Sequence, residues 1–127
     1  MTNEHRDPQR LLPLTPAVLH ILLALAAGER HGYAIMQEVA DLSGGQMRLG
    51  PGTLYRSIRT MLEAGLIAES SERPDPTLDD ERRRYYRLTD FGQRVGRAEV
   101  ERLDRLISAA QARRLVERPA PEKGGVR

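Results

Sequence analysis

The stretch HGYAIMQEV (31–39), followed after a Gly-Gly break by LGPGTLYRSIRTMLEAGLI (49–67), decides how this chain folds. It reads as two short amphipathic helices joined by a glycine-containing turn. The first is expected over residues 33–42, with Ile35, Val39 and Leu42 at 4-then-3 spacing as its inner stripe. Gly44 and Gly45 end it and give the turn its freedom in φ. The second opens at Pro51, a residue the first helical position tolerates because that N–H has no helical partner. Leu54, Ile58, Met61 and Leu62 define its buried face. Gly52, Arg56, Arg59 and Glu63 recur at spacings of 4, 3 and 4 on a different face, with Thr53 and Thr60 nearby. Gly65 stops it.

Working outward, residues 66–71 and 83–88 read as two short strands, the second placing Tyr85 and Arg87 on one face and Tyr86 and Leu88 on the other. Between them ERPDPTLDDE (72–81), with two prolines and five acids, three of them closing it, is loop rather than ladder, so the strands form a hairpin wing. Upstream, Thr15 and Pro16 read as an N-cap and first helical residue. The following AVLHILLALAA (17–27) is apolar nearly all round, which places it beneath the other helices and offers Leu19 and Leu22 to a second subunit. Downstream, Thr89 caps a long helix over residues 90–116. In it Val100, Leu103, Ile107 and Ala110 follow 3-4-3 spacing, a narrow apolar seam on an otherwise charged helix. Such a seam needs a partner helix, and the simplest one is its own copy.

The fold class is therefore mainly α with a small β-hairpin, a winged helix-turn-helix plus a long C-terminal dimerisation helix. Residues 1–10 and 117–127 are polar and proline- or glycine-bearing, and are expected as flexible tails; residues 11–88 form the winged helix and 89–116 the dimerisation helix.

Composition narrows the function. With no cysteine among 127 residues there is neither a disulfide framework nor a thiolate metal site. No apolar run approaches the roughly 20 residues of a membrane span, and no signal peptide is evident, so the expected location is cytoplasmic. The net charge is only +2, too small for binding by bulk charge, but its distribution is uneven. From Met47 to Leu62 the charges are Arg48, Arg56 and Arg59 with no acid, and from Arg82 to Arg87 there are four arginines with no acid. Arginine suits bidentate contacts to phosphate and guanine. Against that, an Arg bias across the whole chain, with Lys123 the one lysine, also fits GC-rich coding.

Arg56 and Arg59 are the candidates for groove contacts; Gly52 and Thr53 let phosphates approach the positive helix end. Arg82, Arg83 and Arg84 could grip phosphates or a minor groove, with at least one turned to Asp79, Asp80 or Glu81. Tyr55 could offer its hydroxyl to a phosphate. Tyr33 and His31 begin the helix that crosses the backbone in helix-turn-helix docking, although capping suits His31 equally well. His5 and His20 lack metal-spaced partners, and His20 reads as a core or interface residue. There is no Walker loop, nucleophile elbow or HExxH, so no enzyme, cofactor or metal is expected.

The segments HGYAIMQEV (31–39), GPGTLYRSIRTMLEAGLI (50–67) and ERRRYYRLTDFG (81–92), continuing into AEVERL (98–103), make the chain resemble the PadR family of bacterial transcriptional regulators across roughly residues 13–115. It looks most like the short members with a single C-terminal helix. The resemblance implies a homodimeric winged-helix repressor on an inverted-repeat operator in double-stranded DNA, with the helix from Pro51 as recognition helix and residues 82–86 in the wing. Some relatives answer to phenolic acids or flat cationic drugs at the dimer interface. With no tryptophan, this chain lacks the tryptophan stacking pocket of certain drug-responsive relatives; a small-molecule effector, if there is one, is of unknown class. The competing reading is a winged-helix protein–protein module whose wing and third helix bind an acidic partner.

Overall fold

In the computed structural model, which describes residues 6–70 and 84–117, the first helix (α1, Pro16–Ala26) starts where the cap signal places it. Thr15 Oγ1 accepts from the Val18 N–H at 3.2 Å, satisfying one of the orphan donors of the first turn. Ile21, Leu22, Ala24 and Leu25 are buried, and α1 lies against every later helix and the wing, as an oily helix must.

A two-residue strand (β1, Arg30–His31) leads into α2 (Gly32–Leu42), where Ile35 and Val39 are fully buried. Leu42 departs from the expected inner stripe and is 47% exposed. It occupies the last helical turn, where the stripe runs past the core and the chain reverses through Gly44 (φ +63) and Gly45 (φ +83). The turn is stapled: Gly45 N–H donates to Ala40 O at 2.7 Å, and Ser43 Oγ accepts from Met47 N–H at 2.8 Å.

Helix α3 (Pro51–Glu63) buries Leu54, Ile58 and Met61. Leu62, expected with them, is 37% exposed, because one residue beyond Met61 is about 100° further round a helix of 3.6 residues per turn. Gly65, at φ +78, then turns the chain into the wing. Strands β2 (Ile67–Glu69) and β3 (Tyr85–Leu88) pair antiparallel, with Ala68 opposite Arg87. β1 adds to the other edge of β3, His31 opposite Tyr85, giving the order β1-β3-β2. Tyr86 faces the core and Arg87 faces out; Tyr85 is half-buried, its ring meeting His31 edge-on at 5.4 Å. The loop expected over residues 72–81 lies outside the described residues.

Helix α4 (Asp90–Ala112) is shorter than the expected 90–116. Thr89 Oγ1 accepts from Gly92 N–H at 2.9 Å and donates to the Gly65 carbonyl at 2.6 Å, tying the helix start to the end of α3. Phe91, Val95 and Ala98 enter the core, and the second half of the helix runs beyond it. Inside this amphipathic surface sits one buried acid. Glu99, 1% exposed, takes two hydrogen bonds from Arg102 (2.6 and 2.9 Å) and one from the Leu14 N–H (3.1 Å).

Residues 6–10 pack on the domain, where a tail was expected. Pro8–Leu11 forms a short 3-10 helix against α4, and Arg6 donates to Ala64 O at 2.6 Å while lying 4.7 Å over the Phe91 ring. A polar segment docks here through guanidinium stacking and a helix-end carbonyl, which hydrophobicity does not register. Among the described residues no helix is long and apolar enough to cross a membrane.

Candidate nucleic-acid interface

The buried stripe of α3 fixes what the rest of that helix presents. With Leu54, Ile58 and Met61 held in the core, Gly52, Thr53, Arg56, Arg59, Thr60 and Glu63 fall on the opposite face, all exposed. Gly50 at the N-cap supplies no side-chain hydrogen bond and Pro51 has no N–H, so the first free amides of the helix are those of Gly52 and Thr53. The Gly52 surface is open: a Cβ there would meet nothing nearer than Arg56 Nη2 at 3.9 Å. This is a helix end where backbone donors, a partial positive charge and the Arg56 guanidinium come together, with Arg59 about two turns from the helix start on the same face.

Several of the described arginines form ion pairs with described acids. Arg30 pairs with Glu38 at 3.8 Å, Arg84 with Glu69 at 3.4 Å and Arg102 with Glu99 at 2.6 Å. Arg48, Arg56 and Arg59 form no ion pair among the described residues. Arg87, on the outer side of β3, is likewise exposed and unpaired there; strand alternation with Tyr85 was the signal that could have added it to the candidates. Of the wing arginines singled out from sequence, Arg82 and Arg83 lie outside the described residues. Arg84 is described, and it pairs with Glu69 of the neighbouring strand; the acids at 79–81 lie outside the described residues.

Three aromatic candidates separate. Tyr33, 54% exposed on the first turn of α2, is open to solvent. His31 caps that helix, its Nδ1 accepting from Ala34 N–H at 3.1 Å, so the capping role is realised. The Tyr55 hydroxyl, expected as a phosphate donor, is buried beneath Gly32, where a Cβ would stand 2.9 Å from the tyrosine Cζ. Glycine at position 32 thus lets α2 close over the Tyr55 ring. His20 is half-buried, its Nδ1 2.7 Å from Pro16 O in its own helix.

On the far side, α1 and α4 leave an open apolar groove of about 290 Å³, lined by Leu19, Leu22, Leu23, Gly92, Gly96 and Val100 among others. Leu22, at the floor of this groove, is only 3% exposed and also belongs to the chain's own core. Beyond the groove the seam continues along α4: Val100 and Ile107 are exposed, Leu103 and Ala110 partly covered, and Leu106 adds to it. Close by, the hydrogen bond from Arg102 holds the Glu99 carboxyl below the usual carboxylate range; the Leu14 N–H and the Arg102 charge add to this, against burial pushing the other way.

The profile of the Transcriptional regulator PadR-like family matches residues 19–98, well over half of the chain. The chain belongs to this family. A PadR family transcription regulator from Clostridium difficile superposes with a TM-score of 0.63 at 19% identity, over 77% of this chain and 97% of that one. A transcriptional regulator from Clostridium thermocellum gives 0.62 at 22%, covering 80% and 90%. RosR of H. salinarum gives 0.57 at 27%, covering 78% and 79%. A curated relative, an uncharacterized 37.1 kDa protein in transposon TN4556 of Streptomyces fradiae, is 33% identical over 71% of this chain, which spans about a quarter (24%) of that protein's length. The family is one of transcriptional regulators, and the chain shares the fold of its solved members.

Proposed function

We propose that this PadR-like protein acts as a homodimeric repressor, occupying an inverted-repeat operator in promoter DNA and excluding polymerase from it. The observation that carries the reading is the outer face of α3, where Arg56 and Arg59 stand exposed and form no ion pair among the described residues, on the helix whose first free amides are those of Gly52 and Thr53. In that reading α3 enters the major groove with its N-terminal half, Arg56 and Arg59 reach base edges, and Gly52 and Thr53 sit against phosphate. Arg87 and the arginines at 82–84 serve the flanking backbone. The exposed seam of α4 and the groove against α1 supply the surface for a second copy, whose α3 would reach the next major groove, about 34–36 Å away.

The test is fluorescence anisotropy with a duplex from upstream of the protein's own gene and a scrambled duplex of equal length. Arg56→Ala and Arg59→Ala should each cost roughly 1–3 kcal/mol on the operator and much less on the scrambled duplex. Equal losses on both duplexes, or no binding by the unaltered protein, would remove the DNA-reading role and leave the protein–protein module.

A further inference from the structure

Beside the recognition helix lies a second cleft, between α2 and the turn that precedes α3. It has a volume of about 270 Å³ and is lined by Tyr33, Met36, Gln37, Ala40, Arg48 and Leu49. We infer that this cleft seats one backbone phosphate of the bound duplex, gripped by Arg48 with Tyr33 and Gln37, and so sets how α3 lies in the groove. The inference rests on the DNA-binding reading above and adds residues to it.

Four observations lead there. Tyr33, Gln37 and Ala40 share one face of α2, spaced by four and three residues, opposite the buried Ile35 and Val39. That face carries two polar groups able to donate hydrogen bonds, a phenol and an amide, and the lining holds no acid. Arg48 comes from the other wall. It is exposed, forms no ion pair among the described residues, and its Nη2 would lie 3.5 Å from a Cβ on Gly45, so the guanidinium folds back over the tight turn toward α2. Finally, the turn beneath it is held by Gly45 N–H to Ala40 O and by the Ser43 bonds to Met47, so Arg48 is carried on a fixed support.

A cleft with one unspent guanidinium, two neutral donors and no carboxylate suits a singly charged tetrahedral oxyanion. Its place in the fold selects the source. Only Leu49 and Gly50 separate Arg48 from the first residue of α3, and in helix-turn-helix docking the helix before the recognition helix crosses the sugar-phosphate backbone. A phosphate seated here would anchor the start of α3 on one strand while Arg56 and Arg59 read the bases. Such a contact positions the protein and carries no sequence information.

The experiment measures binding to operator and scrambled duplexes between 50 and 200 mM salt for the unaltered protein, Arg48→Gln, Tyr33→Phe and Gln37→Glu, each checked by thermal melting. Losing one phosphate contact should lower the slope of log K against log salt by about 0.9 per bound protomer, equivalent to roughly an eightfold loss per contact at 0.1 M relative to 1 M. Arg48→Gln is expected to show that change equally on both duplexes, keeping the operator preference within about twofold of the unaltered protein. Tyr33→Phe should give a smaller uniform loss. Gln37→Glu, which sets a carboxylate in the seat, should give a larger one. An unchanged slope for Arg48→Gln in a protein that still binds through Arg56 and Arg59 overturns this inference alone; a loss confined to the operator makes Arg48 a base reader and overturns it too. Absence of DNA binding by the unaltered protein removes the parent reading and this one together.

Discussion

Replacing Gly92 by alanine should destabilise the fold although it improves local helix propensity. Gly92 is buried in the first turn of α4, which passes directly over the chain leaving α3. An added Cβ would overlap the Leu66 carbonyl oxygen, stand 2.9 Å from its carbon and touch Leu88 Cδ1 at 3.0 Å. The carbonyl cannot easily move away, because it accepts from the Thr89 N–H (3.1 Å), and the same threonine, whose hydroxyl donates to the Gly65 carbonyl, caps α4. Relief therefore means lifting α4 or breaking its cap. Overpacking costs about 1–3 kcal/mol, and a backbone obstacle belongs at the upper end, whereas Gly→Ala in a helix returns about 1 kcal/mol. The net is a loss of about 2 kcal/mol, or about 8–16 °C in Tm for a domain of this size. Gly52→Ala makes the identical chemical change in open space and should be neutral or raise the melting point slightly. Thermal unfolding followed by circular dichroism checks both. A Gly92→Ala protein that melts at or above the parent temperature would refute the close approach of α4 to Leu66.

Other outcomes follow from the same geometry. Leu103→Asp, in the middle of the α4 seam, should give monomers in sedimentation velocity and weaker operator binding; an unchanged dimer would move the interface elsewhere. Tyr55→Phe should leave operator affinity within about twofold, since the hydroxyl is buried beneath Gly32, and a large specific loss would mean the ring turns outward on DNA. The Glu99 carboxyl is held below its ordinary 4.5 chiefly by the Arg102 hydrogen bond, so its stabilising contribution is fully present above that value and disappears as pH falls through the lower folded pKa. Melting temperature against pH should accordingly drop on the acid side, and Glu99→Gln should flatten that limb while lowering the neutral plateau.

Much of this architecture is written locally. Thr15, Thr89 and Pro51 start helices because caps and first-turn prolines act within a few residues, and Gly44, Gly45 and Gly65 end elements because each adopts positive φ. Tertiary placement is where local reading stops. Two residues, Arg30 and His31, show no periodicity of their own and become a strand only by meeting Tyr86 and Tyr85 of β3. Glu99 reads locally as one more charge on a charged helix, yet it is held by the Leu14 N–H from the distant N-terminal segment together with Arg102 of its own helix. In the candidate interface, Arg56 and Arg59 were legible because their spacing against Leu54, Ile58 and Met61 forces them outward. Tyr55 was not, since its direction depends on an absent side chain at position 32 in a different helix. Arg48 was visible as part of an acid-free run, but its fold-back over Gly45 requires the turn itself.

The claim on which the functional account depends is that the outer face of α3 reads base edges. A crystal structure of the protein with its own promoter duplex tests it most directly. The account predicts α3 within the major groove, with the Arg56 and Arg59 guanidiniums at hydrogen-bonding distance, about 2.7–3.2 Å, from base acceptors. A complex with that face in solvent or against protein, and the duplex held elsewhere, would contradict it.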